Sequence, residues 1–142
     1  MKRILVFLCA CSLVFILAGC KAEDAKNDIF SYVQKNYNMI VEACEASGLD
    51  TLYASDKVER VAVMDGYIIV YCSGEGIAPS SQDYGFYYSE ENLPVAVDCN
   101  LCIVGYTEDL SPEGKGYQCI IDGNIFYTEH IMGNIYFYSN AY

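Results

Sequence analysis

Tyr117-Gln118-Cys119-Ile120-Ile121-Asp122-Gly123-Asn124-Ile125-Phe126-Tyr127-Thr128-Glu129-His130-Ile131-Met132-Gly133-Asn134-Ile135-Tyr136-Phe137-Tyr138 decides the fold. The dipeptides Asp122-Gly123 and Gly133-Asn134 interrupt runs rich in aromatic and β-branched residues. Such runs favour strands, and such dipeptides tolerate the positive φ that a two-residue hairpin turn demands. The reading is strands at 117–121, 124–131 and 135–138, each antiparallel to the next. Asp65-Gly66 repeats the signal upstream and pairs 58–64 with 67–72. Between these hairpins, 84–89, 95–97 and 101–106 read as further strands. Residues 73–82 and 108–116 read as loops from their Gly, Pro, Ser and charged content.

One segment has a different period. Ile29, Val33, Tyr37, Ile40 and Cys44 recur at helical spacing, with Asn27 or Asp28 as the cap and Gly48 as the stop. A helix with one apolar stripe must bury it, and the sheet offers the large apolar surface. The expected fold class is therefore α+β, with a single N-terminal amphipathic helix packed on a curved antiparallel β-meander sheet of roughly six to eight strands. A small closed barrel with the helix plugging one end is the alternative.

Upstream of that domain, Met1-Lys2-Arg3 opens an apolar run from Ile4 to Ala18, and Leu17-Ala18-Gly19-Cys20 closes it. At about 1.5 Å per residue the run spans about 22 Å of helix, short of the ~30 Å hydrocarbon core. The arrangement resembles the signal peptide of a bacterial lipoprotein. That resemblance implies a diacylglyceryl group on the Cys20 sulfur, cleavage before Cys20, and an N-acyl chain on the new terminus. It divides the chain into a signal peptide at 1–19, a lipidated tether at 20–27 and a single α+β domain at 28–142. It also implies attachment to the outer face of the cytoplasmic membrane, or to an outer membrane if the host has one. More than one acyl chain makes such anchoring stable. Cys9 and Cys11 lie within the apolar run and read as small hydrophobes.

The formal charge of −11 becomes −13 once Lys2 and Arg3 are removed. That excess argues against nucleic acid as a partner and favours basic ones. Fourteen tyrosines and no tryptophan suit a sheet whose half-buried faces have one wet end. Tyr84-Gly85-Phe86-Tyr87-Tyr88-Ser89 places Phe86 and Tyr88 on one face and Tyr87 on the other, with a bulge expected at Gly85. One face serves the core, so the other is expected to show aromatics to a protein or glycan ligand. The candidate binding surface is Tyr84, Tyr87, Tyr88, Tyr136 and Tyr138, flanked by the loops 73–82 and 108–116. With Ile135-Tyr136-Phe137-Tyr138, the string resembles small uncharacterised lipoproteins of Gram-positive anaerobes, a resemblance that brings no activity with it.

Five cysteines remain beyond Cys20: Cys44, Cys72, Cys99, Cys102 and Cys119. They read as buried free thiols, with disulfides among Cys72, Cys119, Cys99 and Cys102 as the alternative in an oxidising compartment. Cys99-Asn100-Leu101-Cys102 has redox or zinc spacing but lacks the helix N-terminus that activates a thiol. Cys119 and His130 are the residues left to complete a zinc site. His130 is the sole histidine, and no Gly-x-Ser-x-Gly elbow accompanies it. Glu90-Glu91 and Glu108-Asp109 fall at loop edges and read as solvated. The glycine-containing stretch 73–81 lacks the lysine and following helix of a phosphate cradle. No catalytic residue, metal ligand or cofactor other than the lipid is therefore expected. The functional expectation is a non-enzymatic, lipid-anchored binding or interaction module. The alternatives are a surface inhibitor of an extracellular enzyme and, after it, a thiol-redox or hydrolytic enzyme.

Overall fold

The computed structural model describes residues 2–46, 48–76 and 81–142, with side chains from Ala22 onward except Glu75. The expected lipid attachment at the Cys20 side chain, and part of the expected loop 73–82, lie outside the described residues. The elements are α1 (Lys2–Glu45), α2 (Asp50–Tyr53), β1 (Arg60–Met64), β2 (Tyr67–Glu75), β3 (Gln82–Ser89), β4 (Ala96–Val97), β5 (Ile103–Gly105), β6 (Ser111–Glu113), β7 (Gly116–Ile121), β8 (Asn124–Met132) and β9 (Ile135–Ala141).

The fold is α+β. Seven strands form one antiparallel sheet in the order β1-β2-β3-β9-β8-β7-β6, and β4 and β5 form a separate two-stranded sheet. Two meanders, β1-β2-β3 and β6-β7-β8-β9, meet where β9 pairs with β3. The sheet stays open rather than closing into a barrel. One edge is β6, three exposed residues around Pro112, a short proline-bearing strand of the kind that resists edge-to-edge pairing. Residues 108–116, expected as a loop, thus carry a strand. The expectation missed it because proline and charge on an edge strand look like loop composition.

All five stripe residues of α1 meet the sheet. Ile29, Val33, Ile40 and Cys44 are buried, and Tyr37 packs against them, in one cluster with Val70, Tyr84, Phe86, Tyr88, Ile135 and Phe137. Mid-helix, Asn36 leaves helical geometry at φ −113° and ψ 16°. Its side-chain amide donates to the Tyr32 carbonyl at 2.8 Å, the local competition that bends helices.

The helix begins well before Asp28. Ala22 and Ala25 pack on the core, and the Lys26 ammonium meets the Glu129 carboxylate at 2.5 Å while lying over the Phe30 and Tyr127 rings. From Ala22 on, the stretch expected to be a tether is docked helix. Its charged residues masked a packing surface made of alanine methyls and a lysine stem.

The opposite face of the sheet is covered too. Val95, Val97 and Leu101, with Ile103 beside them, pack on Ile69, Tyr71, Tyr87, Tyr136 and Tyr138. Residues 94–105 thus act as a third layer. A buried hydrogen-bond chain fastens it: the Val95 amide donates to the Tyr87 hydroxyl at 2.9 Å, Tyr87 to Thr128 Oγ1 at 2.7 Å, and Thr128 to the Phe137 carbonyl at 3.0 Å. Each member has a partner, so burial of these polar groups costs little.

Candidate binding cleft

The tyrosines expected to form an open binding surface are core residues. Tyr84, Tyr87, Tyr88, Tyr136 and Tyr138 are all buried. Tyr84 and Tyr88 lie under α1, whereas Tyr87, Tyr136 and Tyr138 lie under the 94–105 layer. Tyr87 stacks on Tyr136 with ring centroids 5.3 Å apart and planes 6° off parallel. The expected bulge at Gly85 is absent: β3 pairs with β9 without a break from Gln82 to Tyr88. The irregularity falls on β2 between Tyr71 and Ser73, and Tyr84 shares the face of Phe86. Gly85 serves close approach instead, because a Cβ there would stand 2.1 Å from the Val70 carbonyl oxygen and 2.6 Å from the Tyr138 ring.

The cysteines follow the free-thiol reading rather than its disulfide alternative, although Cys102 is exposed where a buried thiol was expected. Cys44, Cys72, Cys99, Cys102 and Cys119 are all free thiols. Cys72 belongs to the helix-side core, whereas Cys119 packs with Ala96 and Phe126 on the other face. They also stand four strand spacings apart, about 19 Å, against the ~7 Å limit between bonded cysteine Cα atoms. Cys99 and Cys102 occupy the turn between β4 and β5. Asp98 Oδ1 accepts the amides of Asn100 and Cys102, and Leu101 takes a left-handed φ of 61°. This is a three-residue hairpin loop, with leucine where glycine is usual. His130 is exposed, its Nε2 2.8 Å from the Gly133 carbonyl oxygen and its ring edge-on to Tyr136. Glu129 lies on the other face with Lys26 and Tyr127. Among the described residues, no group of three or more His, Cys, Asp or Glu side chains is arranged to hold a metal ion.

The structure assembles an exposed cleft that no single stretch announces. Asp65 and Gly66 of the β1–β2 turn, Tyr67, Glu90 and Glu91 after β3, Leu93, and Tyr106, Thr107 and Glu108 line a cavity of 470 Å³. Four acidic residues and two tyrosines line one space, and its lining includes no lysine, arginine or histidine. The backbone holds this rim in place. The Glu90 amide donates to the Gly66 carbonyl at 2.9 Å, and Asn134 Nδ2 donates to the Glu90 carbonyl at 3.2 Å. Asp109 caps the Tyr106 amide at 2.9 Å, and the Thr107 hydroxyl donates to the Pro94 carbonyl at 2.9 Å. Burial raises the Tyr67 hydroxyl above its ordinary value; a bond from Ser89 opposes this, and Glu91, Tyr106 and Glu108 add to it. The phenol therefore stays neutral in a field that favours cations.

Position gives the cleft its meaning. The start of the docked helix, at Ala22 and Glu23, borders Gln82, Ile125, Ser139 and Ala141. Its end, at Cys44 and Glu45, borders Met64, Ile68, Tyr88 and Glu90. Ala22 to Glu45 is about 35 Å of helix, and the acidic cleft shares Glu90 with the far end. Glu90-Glu91 and Glu108 were legible as acidic loop edges; their convergence with Asp65, Tyr67 and Tyr106 was not. No family model, curated protein or solved structure matches the chain.

Proposed function

We propose that this protein is a lipid-anchored extracytoplasmic binding module, tethered to the bilayer through Cys20 and presenting its acidic cleft to a basic partner. One observation carries the reading: Asp65, Glu90, Glu91 and Glu108 line one cleft with exposed Tyr106 and Leu93, at the end of β3 opposite the one that Ala22 borders. An anchored protein engages partners with its far end. Carboxylates around aromatic rings suit lysine and arginine side chains of a protein or peptide, which gain both charge pairing and ring contact. The overall negative charge steers the same partners. Inhibition of a basic extracellular hydrolase is the second reading, favoured by the same acidic rim.

The test is binding of lysine- and arginine-rich peptides to the full-length acylated chain in detergent, at low and high salt. Binding is expected to weaken with salt and to fall at least about tenfold, 1.4 kcal/mol, in Glu90→Lys with Glu91→Lys. Equal binding by that variant, or a preference for acidic peptides, would overturn the proposal. Added inhibition of a basic hydrolase in the same titration would select the second reading.

A further inference from the structure

At the end opposite the acidic cleft, the β7–β8 hairpin carries isoleucines that the protein leaves uncovered. Ile120 is 60 % exposed and pairs across the strands with Ile125, itself 42 % exposed; Ile121 beside the turn is 36 % exposed. Isolated apolar side chains on a surface are ordinary, but here Ile120 and Ile125 share the helix-side face and Ile121 lies on the other, so the hairpin tip is apolar on both faces.

What covers the tip follows from the chain that leads into it. Ile125 lines the same cavity as Ala22, and Ala22 stands two residues, about 3 Å of helix rise, from Cys20. No slack separates the two, because Ala22 and Ala25 pack on the core and Lys26 is paired with Glu129. Anything that holds Cys20 at a bilayer therefore brings this hairpin to the same surface. We infer that the tip of the β7–β8 hairpin, through Ile120, Ile121 and Ile125, is seated in the outer boundary of the lipid bilayer and fixes the domain upright. This inference rests on the anchor reading. Attraction to anionic headgroups plays no part, since Glu23 lines the same cavity as Ile125 and Asp122 follows Ile121 in the turn; the contact is apolar and depends on the anchor.

The chain contains no tryptophan, so an introduced one is a unique reporter. Full-length acylated protein carrying Ile120→Trp or Ile121→Trp is reconstituted in phosphatidylethanolamine–phosphatidylglycerol vesicles with and without brominated acyl chains. Val63→Trp, 64 % exposed at the opposite end, is the control. Both tip variants are expected to emit to the blue of the control and to be quenched about twofold or more by the brominated lipid, as a side chain seated 5–10 Å into the interface would be. The control should emit as in water and remain unquenched. Intact mass of the same samples reports on Cys20. Acylated Cys20 with water-like, unquenched emission at both tip positions overturns this inference alone. Unmodified Cys20 overturns the anchor reading and this inference with it.

Discussion

Leu101 and Gly85 show how individual residues hold the third layer in place. A leucine at φ 61° costs about 1–2 kcal/mol relative to right-handed backbone, yet its side chain is buried against the sheet, which offsets the strain. Gly85 makes room for the Tyr138 ring and the Val70 carbonyl. Gly85→Ala is expected to destabilise the protein by about 3 kcal/mol or more, read from the urea midpoint, since neither backbone nor a buried ring can yield cheaply. Tyr87→Phe removes the acceptor of the Val95 amide and should cost about 2 kcal/mol in the same experiment, as an orphaned buried donor does. The thiols give a third residue-scale expectation. Burial pushes Cys44 and Cys72 up to about 12, each assisted by a nearby glutamate, whereas Cys102 is exposed. Iodoacetamide at pH 8 should therefore modify Cys102 in the native protein and reach Cys44 and Cys72 only in denaturant, with peptide mass mapping as the readout.

At the scale of elements, the hairpins follow their turn residues closely. Asp122 and Gly123 both take positive φ, at 52° and 84°, as a type I′ turn requires, and Gly133 takes 53°. The stripe of α1 was equally legible, because its period depends on local spacing alone. The 94–105 layer was not. Its strands are two and three residues long, too short for a periodic signal, and their partners lie across the sheet rather than beside them in sequence. This layer explains why an aromatic face that looks like a binding surface is interior. Val97→Asp places a charge where the native residue is 1 % exposed, and the layer is expected to lift while the sheet and α1 persist. The observable is new binding of a hydrophobic dye with nearly unchanged far-ultraviolet circular dichroism. Unchanged dye binding would show that residues 94–105 are not what covers Tyr87 and Tyr136.

For the whole molecule, stability against pH follows from groups at both ends of the scale. Burial disfavours the Glu129 charge, but hydrogen bonds from Lys26 and Tyr127 and the Lys26 charge outweigh it and hold the carboxyl below its ordinary 4.5. A group depressed on folding contributes stability above its unfolded value and loses it as pH falls through the folded one. Cys44 and Cys72, raised on folding, contribute below their ordinary 9.0 and lose that contribution as pH rises toward about 12. The urea midpoint is expected to be flat between about pH 5 and 9 and to drop on both sides, with Glu129→Gln lessening the acid limb. The same molecule is polar in layout, with α1 running from the isoleucines of the hairpin tip to the acidic cleft. Both ends were written in the sequence as unremarkable loops and turns.

Spacing and turn chemistry, which act between near neighbours, settled the α+β class, the hairpins and the stripe of α1. Tertiary structure alone decided that β9 would return beside β3, that residues 94–105 would cover the second face, and that Ala22 would be docked rather than free. It alone also brought Asp65, Glu90, Glu91 and Glu108 into one cleft. The reason is physical: apolar surface is buried against whatever packs best in three dimensions, and that partner lies tens of residues away, beyond the reach of any local period.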